Sequence, residues 1–334
     1  MSRRRPDNAP PEPQLDGSAG WLRSWAIAWD RFWFTPARPH TLALMRILCG
    51  AMLTYVHVIW ASQLTDFMGP HAWLDSETVR SLHQRDWGWS WLFYTDSRLI
   101  LGLHQTVAIV AGLMMTAGVL TRIALPLSWW MTLMVCHRMT GALFGLDQIV
   151  VMLSMYLMWS HCGSVWSFDA WWAKRVRREG AQDNQRSSWW FPSDRASVSN
   201  NIATRLIQLH LCVIYLFGGL SKMRGEMWWD GSALWYTAVN YEYQSLDITW
   251  LGHFRILIAA LTAATIFWET FYVALVWPKL TRPIALAMAV LVHGGIAVAL
   301  GMITFGTIMI VANIAFISPA SVARLAALCE KRGV

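Results

Sequence analysis

The chain has 334 residues, of which 55% are hydrophobic and only 14% are charged, and its mean hydropathy is +0.35. Soluble proteins carry about 25% charged residues, so the composition excludes an ordinary soluble domain and predicts a polytopic membrane protein. The 23 tryptophans fit this class, because indole rings prefer the boundary between lipid and water. The net charge of +7 resides mostly in a few loops that would face an anionic leaflet, so it does not indicate a nucleic-acid partner.

The N-terminal region has two parts. Residues 1–19 are rich in Pro, Asp and Arg and poor in large apolar side chains, which predicts a disordered cytoplasmic tail. In residues 20–34, four tryptophans recur at i, i+4 spacing: Trp21, Trp25, Trp29 and Trp33. This spacing places the four rings on one face of a helix and predicts a helix that lies in the membrane interface.

Eight later segments approach the roughly 20 apolar residues that are needed to cross hydrocarbon. They lie at 42–61, 99–120, 123–140, 143–161, 202–221, 254–277, 282–300 and 302–318. Only the stretch around Gly301 separates the last two, so one long kinked helix is the alternative there, although 37 residues exceed a single tilted span. The sequence therefore predicts an all-α polytopic bundle of about eight transmembrane helices, with interfacial helices added.

Loop charge alternates along this order of spans. The region up to residue 41 has six basic residues, the 162–201 loop has six and the segment after 318 has three. Acidic residues outnumber basic ones in the 62–98 and 222–253 loops. Loops rich in Lys and Arg stay in the cytoplasm. We therefore expect a multi-pass protein of the cell inner (plasma) membrane with both termini cytoplasmic, including a C-terminal tail at 321–334.

The clearest candidate site lies within residues 202–236, where an apolar run ends in FGGLSK and continues into MRGEMWWDG. Lys222 lies where the fifth predicted span leaves hydrocarbon, and Trp228 and Trp229 follow it. One interpretation is a snorkelling anchor, whose long stem carries the ammonium to the headgroups. The other is a partly desolvated amine that acts as a base. This segment by itself favours the anchor.

Other ionisable residues gather mostly in the outer half of the predicted spans. They are His57, His104, His137, Arg138 and Asp147, with His210 and His293 near mid-membrane and Glu269 deeper, towards the cytoplasm. Such groups are costly in hydrocarbon and face a cavity or each other, so their distribution predicts one externally facing cavity. Each also has a structural explanation: the histidines as interface or core residues, and Asp147 as a helix cap.

Several chemistries are excluded by the motifs that the sequence lacks. There is no GxxxxGK[ST], GxSxG or HExxH motif, and no closely spaced set of His, Cys and Asp that would hold zinc or iron. The five cysteines form no CxxC pair. These absences argue against an ATP-driven pump, a metalloprotease and a metal site. The lack of a visible internal repeat disfavours an inverted-repeat transporter.

Four segments carry a family resemblance in the right order. They are RPHTLALMRILCGAMLTY at 38–55, VWSFDAWW at 165–172, LFGGLSKMRGEMWWDGSALWY at 216–236 and VHGGIAVALGMITFGTIMIVANIAFISP at 292–319. Together they resemble the vitamin K-dependent gamma-carboxylases and their bacterial relatives, the horizontally transferred transmembrane (HTTM) domain proteins. The resemblance implies that residues 20–320 form one such domain, with a site on the lumenal or periplasmic side.

The resemblance also implies a chemistry. In the carboxylases, the lysine that matches Lys222 is proposed to deprotonate vitamin K hydroquinone. Oxygen then generates a strong base, which removes the gamma proton of a peptide glutamate, and the carbanion takes up CO2. We take Lys222, His293 and Asp147 as the catalytic candidates. The candidates for contact with the quinone are Trp228, Trp229, His210 and Arg224.

This chain departs from the family at two places. The family's histidine just inside the fourth span is matched here by Leu146-Asp147-Gln148, and the large lumenal domain that binds a propeptide has no counterpart. The expected activity is therefore quinol- and oxygen-coupled epoxidation, with carboxylation less well supported, on an unidentified periplasmic or membrane-associated substrate. The alternatives are a non-enzymatic lipid-handling or assembly factor and, third, a transporter.

Overall fold

The protein is all-helical in the part of the chain that its computed structural model describes, residues 17–85, 87–179 and 194–331. Helix makes up 78% of the structure, and the described ranges contain no strand. The disorder predicted for residues 1–16 falls outside these ranges, whereas residues 17–19 already belong to the first helix. The all-α class predicted from composition and hydropathy is confirmed.

Fifteen α-helices lie in the described ranges, joined by short 3-10 turns. They are α1 Gly17–Phe34, α2 His40–Ser62, α3 Leu64–Met68, α4 Ser76–Leu82, α5 Arg98–Ala117, α6 Thr121–Arg138, α7 Gly145–Leu157, α8 Phe168–Glu179, α9 Val198–Lys222, α10 Glu226–Trp229, α11 Ala233–Ala238, α12 Arg255–Leu275, α13 Arg282–Ala299, α14 Ile303–Asn313 and α15 Pro319–Lys331. Each of the eight predicted spans coincides with one of the helices α2, α5, α6, α7, α9, α12, α13 and α14.

Five of these helices are long and apolar enough to cross a membrane: α2, α5, α9, α12 and α13. A sixth crossing is counted if residues 303–316 and 319–328, between which the chain bends by 112°, form one broken span. Helix α7 is apolar but has only 13 residues, and α6 is less apolar because it includes polar side chains such as Arg122 and Arg138. By length and hydropathy alone, the described helices support a multi-pass membrane protein with five or six crossings rather than eight.

The first helix lies against the start of α9. The Asn201 side-chain amide donates to the carbonyl oxygens of Phe32 and Trp33 at 2.7 and 2.8 Å. The Arg205 guanidinium lies 4.4 Å from the centre of the Phe32 ring, within the range of a cation–π contact. On α1 itself, three of the four spaced tryptophans are more than half exposed: Trp21, Trp25 and Trp29. The helix predicted for residues 20–34 is confirmed, and its location in a membrane interface stays a prediction.

Arg46 joins the ends of several helices at one end of the bundle, which we call the Arg46 end. This fully buried guanidinium donates to four carbonyl oxygens, those of Met115, Thr116, Cys162 and Trp166. Asp169 accepts from the N–H groups of Leu120 and Thr121 at 2.8 Å and so satisfies the first turn of α6. Two of the resemblance segments, around Arg46 and around Asp169, therefore fix helix ends.

Arg138 joins helix ends in the same way at the end of the bundle opposite the Arg46 end. Its guanidinium is buried and donates to the carbonyl oxygen of Leu74 at 2.9 Å, and it lies 3.8 Å from the Asp96 carboxylate. The end of α6 therefore contacts the connection between α2 and α5. Because α6 begins beside the end of α5 and finishes beside its start, α6 runs the full length of α5.

Burial differs between the candidate spans. Half of the apolar window of α2 is buried, whereas only 17% of that of α13 is. Helix α2 therefore lies in the interior of the bundle, and α13 presents most of its surface outwards. Side chains of α2, α7, α9, α12 and α14 share the main core, which includes Leu53, Leu153, Leu211, Tyr272 and Ile308.

Candidate functional site

Lys222, the last residue of α9, is paired with a carboxylate. Its Nζ lies 2.5 Å from Oε2 of Glu269 on α12, and the two side chains are 32% and 9% exposed. A snorkelling lysine would direct its ammonium into water or headgroups. Here the ammonium lies at a contact between two helices instead, and the carboxylate occupies one side of it.

Gly219 allows α9 to approach α12 closely enough for the contact between Lys222 and Glu269. A Cβ on Gly219 would lie only 2.6 to 3.0 Å from the side-chain oxygen, N and Cα of Thr270, so α9 and α12 touch through backbone at this point. Glu269, the neighbour of Thr270, is thereby brought to Lys222. The neighbouring Gly218 borders the pair less tightly, because its Cβ would lie 3.6 Å from Glu269 Oε2 and 3.9 Å from Lys222 Nζ.

One of the two predicted tryptophans flanks the amine. The Lys222 Nζ lies 5.6 Å from the centre of the Trp228 ring, within cation–π distance. The Trp229 side chain is 66% exposed, and its Nε1 donates to the carbonyl oxygen of Met223 at 2.7 Å. Arg224 is exposed. Lys222, Glu269 and Trp228 therefore form the centre of the site, and Trp229 and Arg224 belong to its outer surface.

The positions of the two residues along their spans predict that Glu269 lies deeper, towards the cytoplasm, than Lys222. This prediction is wrong, because the two side chains are in contact. The reason is that the loop after α9 folds along the first half of α12, where Leu234 N–H donates to Thr262 Oγ1 at 3.3 Å. Lys222 therefore contacts the second half of α12. The alignment of α9 with α12 could have been predicted only by knowing how α10 and α11 fold.

His293 on α13 is the end of a buried hydrogen-bond chain. Its Nε2 lies 2.7 Å from the Tyr215 hydroxyl, which accepts from the Asn313 amide at 2.9 Å. The Tyr272 hydroxyl donates to the same Asn313 side chain at 2.6 Å. The chain joins α9, α12, α13 and α14 through side chains that are at least nine-tenths buried. Sequence reasoning singled out His293 but missed Tyr215, Asn313 and Tyr272, which carry no motif.

The Tyr215 chain lies next to the Lys222 pair in the sequence and in the fold. Tyr215 precedes Lys222 by two helical turns on α9, and its ring packs 4.9 Å from Trp268, the neighbour of Glu269. The His293 ring lies 6.2 Å from that of Trp268. No described residue hydrogen-bonds the buried Nδ1 of His293. The structure thus brings His293 into the same helix cluster as Lys222, and whether both face one cavity stays a prediction.

Asp147 and His210 lie apart from the Lys222–Glu269 pair. Asp147 is 2% exposed and accepts from Phe144 N–H at 3.0 Å, so it caps the start of α7, which is the structural alternative that its position predicted. Its second oxygen, Oδ1, is buried and has no hydrogen-bond partner within the described ranges. The Nδ1 of His210 lies 3.0 Å from the Tyr156 hydroxyl, on the part of α9 that faces α7.

The remaining histidines do not converge on the site, so the single cavity predicted for all of these groups is wrong. His57 bonds to Gln105 and Thr132 at 3.0 Å each, which joins α2, α5 and α6. His104 lies 3.1 Å from the carbonyl oxygen of Met131. His137 lies 2.7 Å from that of Trp89. Each of these three rings thus bonds to a neighbouring helix or turn, although the buried Nδ1 of His104 has no hydrogen-bond partner within the described ranges. Sequence spacing alone does not distinguish such structural histidines from those of a binding site.

Within the described residues, no group of three or more His, Cys, Asp or Glu side chains could hold a metal ion. Comparisons of the chain with protein-family models, curated proteins and solved structures found no match. The chemistry of the site therefore rests on its own geometry. That geometry offers one amine, one carboxylate and one indole face in contact, which together can bind a flat ring and move a proton.

Proposed function

We propose that the protein is a membrane enzyme of the carboxylase-like (HTTM) type, in which Lys222 acts as a base on the hydroxyl of a hydroquinone. The observation that carries this proposal is the 2.5 Å contact between Lys222 Nζ and Glu269 Oε2 beside the Trp228 ring. A base must hold a free electron pair when the substrate arrives. The carboxylate is the group that can take the proton from the lysine.

The proton moves in two steps within the pair. In the resting pair the proton is on Nζ, as an ammonium facing a carboxylate. Its transfer to Oε2 leaves a neutral amine and a carboxylic acid, and loss of water around the site favours this uncharged form. The Lys222 Nζ then accepts a proton from the substrate hydroxyl and becomes an ammonium, which stabilises the oxyanion next to it.

The residues around the pair fit a hydroquinone. About a third of the Lys222 side chain is exposed, so a ligand can reach this side chain, and the Trp228 indole offers a face to a flat ring. A bound vitamin K-type hydroquinone would supply the reducing chemistry towards O2, and CO2 would be needed if carboxylation follows. Trp229, Arg224 and His210 lie outside the contact that we propose.

His293 is the second catalytic candidate within this cluster. Its buried Nδ1 is available, while its Nε2 is oriented by Tyr215. A histidine held in this way has a defined ring orientation, which proton transfer requires. Asp147 stays a candidate only through its buried Oδ1, because its Oδ2 caps α7.

The same ion pair supports a second function. Lys222 and Glu269 join α9 to α12, and a non-enzymatic lipid-handling or assembly factor would need the pair only for that purpose. In this case the partly exposed amine has no substrate. A transporter ranks third, since nothing in the geometry favours it.

We further propose that all eight predicted segments cross the inner (plasma) membrane, with both termini cytoplasmic. The contacts of Arg138 support a full crossing by α6, and α7 then returns to the Arg46 end, where the carbonyl oxygen of Cys162 accepts from Arg46. Helix α14 and the turn after it also return to that end, because Ile317 accepts from Thr41 at the start of α2. The surrounding lipid is the partner that this topology implies.

The test of the enzymatic proposal is oxygen uptake by the purified chain in lipid discs. A panel of naphtho- and benzohydroquinones is added, and oxygen consumption above the rate of the hydroquinone alone is measured. Oxygen uptake that requires protein and hydroquinone together is the expected result. No uptake with any member of the panel would favour the non-enzymatic function.

A further inference from the structure

A second candidate binding site lies at the start of α12, between this helix and the loop after α10, whereas the Lys222 pair lies at the second half of α12. It is a cavity of about 550 Å³, within the size range of small-molecule sites. Its lining includes Asp230, Ser232, Trp235, Arg255, Ile256 and Ile258. None of these residues contributes to the proposed base chemistry, so this inference is independent of the proposed function.

The two charged residues of this cavity are available to a ligand. Asp230 and Arg255 are both exposed, and neither forms an ion pair within the described part of the chain. The Oδ1 of Asp230 accepts from the Ser232 hydroxyl and N–H at 2.6 and 2.8 Å, and these bonds lower the pKa of Asp230, so it stays ionised at neutral pH. The cavity thus presents a fixed carboxylate and a guanidinium that do not pair with each other.

The rest of the cavity is apolar and continues onto an exposed apolar helix surface. Ile258 is buried in its wall, whereas Ile256 is 88% exposed on the first turn of α12. Trp235 stands on α11, which is attached to α12 by the bond from Leu234 N–H to Thr262. A ligand with opposite charges in its head and apolar chains below it matches this arrangement.

We propose that this cavity binds the headgroup of a membrane phospholipid that carries a primary ammonium, of the phosphatidylethanolamine class. Arg255 would bind the phosphate, because a guanidinium matches phosphate oxygens in a fork geometry. Asp230 would accept a hydrogen bond from the ammonium, and the acyl chains would lie along Ile256. A quaternary choline group cannot donate that hydrogen bond, so the carboxylate selects the primary amine.

The test is the retention of added lipid by the full chain in detergent, measured by native mass spectrometry. The probes are phosphatidylethanolamine, phosphatidylcholine and phosphatidylglycerol with the same acyl chains. We expect the wild type to retain phosphatidylethanolamine roughly tenfold better than phosphatidylcholine, as loss of a charge-assisted hydrogen bond requires. Equal retention of these two lipids would overturn the proposal.

Matched variants separate the two contacts. Asp230→Asn should remove the preference for the primary amine, and Arg255→Ala should weaken retention of all three phospholipids roughly tenfold. The controls are Asp247→Asn and Arg98→Ala. Asp247 accepts from the hydroxyl and N–H of Thr249 in the same way, at 2.6 and 3.0 Å, and Arg98 is the exposed first residue of α5.

Both controls should behave as wild type, and thermal unfolding of each variant confirms that the fold is kept. If Asp230→Asn retained lipid in the same proportions as Asp247→Asn, the assignment of the ammonium to Asp230 would be wrong. Soluble glycerophosphoethanolamine is the last probe. Displacement of the lipid by this headgroup at equal concentration would overturn a membrane lipid as the ligand.

Discussion

Lys222 and Glu269 are in contact at 2.5 Å although they are 47 positions apart in the chain. The contact joins the last turn of α9 to α12 and places a carboxylate where a lysine anchor would have water. An ionisable pair between two apolar helices is stable only while both partners are present, because each alone is poorly solvated. This dependence gives the site a measurable effect on stability as well as on activity.

The first prediction concerns the loss of the carboxylate. Glu269→Gln leaves the Lys222 ammonium without its anionic partner, and we expect a loss of about 1–2 kcal/mol in the free energy of unfolding, reduced because the lysine is about a third exposed. Thermal unfolding in detergent measures this loss of stability. Glu242→Gln, at an exposed acid in the connection between α11 and α12, is the control and should change the free energy of unfolding little. Equal stability of the two variants would show that the pair contributes nothing.

A second prediction uses the neighbouring glycines of α9. Gly219→Ala puts a Cβ within 3.0 Å of the Thr270 backbone, so α9 and α12 must move apart. We expect a loss of about 1–3 kcal/mol in the free energy of unfolding from this overpacking. Gly218→Ala adds the same methyl group where the nearest atoms lie 3.6 and 3.9 Å away, and it should be tolerated. Thermal unfolding that ranks the two variants the other way round would refute this helix contact.

The third prediction concerns the buried hydrogen-bond chain. Tyr215→Phe removes the hydroxyl that bonds both His293 and Asn313 and leaves their buried polar atoms with fewer partners. We expect a loss of about 2–4 kcal/mol in the free energy of unfolding. Tyr236→Phe, at a side chain that is 55% exposed, is the matched control and should change it by less than about 0.5 kcal/mol. Similar unfolding temperatures for both variants would contradict the chain.

Topology gives the fourth prediction. If α6 and α7 both cross the membrane, a cysteine at Ala142 in the turn between them is labelled from the same side as one at Ser81. A cysteine at Arg324 is labelled from the opposite side. Four of the five native cysteines, Cys49, Cys136, Cys162 and Cys212, are buried, which keeps the background labelling low. Labelling with a membrane-impermeant maleimide measures the side on which each cysteine lies. Labelling of Ala142→Cys and Arg324→Cys from the same side would mean that α6 and α7 do not cross.

Hydropathy predicts the helices well because it depends on neighbouring residues only. Helices occur at all eight predicted segments, and the spacing of Trp21 and Trp25 predicts α1. The position of Lys222 at the end of an apolar run, with Trp228 after it, marks this segment as a candidate site in the sequence. Hydropathy and charge carry no information on the register between α9 and α12, which depends on how α10 and α11 fold.

The buried polar chain could not be predicted for a related reason. Asn313 and Tyr272 lie within apolar runs, and nothing local marks them as partners of Tyr215. The histidines show the opposite error: His57 and His104 have the pattern of a site, but their bonds are to adjacent helices. Whether a buried polar residue binds a ligand or a neighbour is decided by packing, not by its place in the sequence.

The most direct test of the central claim compares Lys222→Arg with wild type and Lys222→Ala in the oxygen-uptake assay with hydroquinone. Arginine keeps the positive charge and can pair with Glu269, but a guanidinium stays protonated at any accessible pH and cannot serve as a base. With protein levels and unfolding temperatures matched, a base at Lys222 predicts that uptake is lost in Lys222→Arg as completely as in Lys222→Ala. Uptake by Lys222→Arg equal to that of wild type would contradict the account and leave the lysine as a structural partner of Glu269.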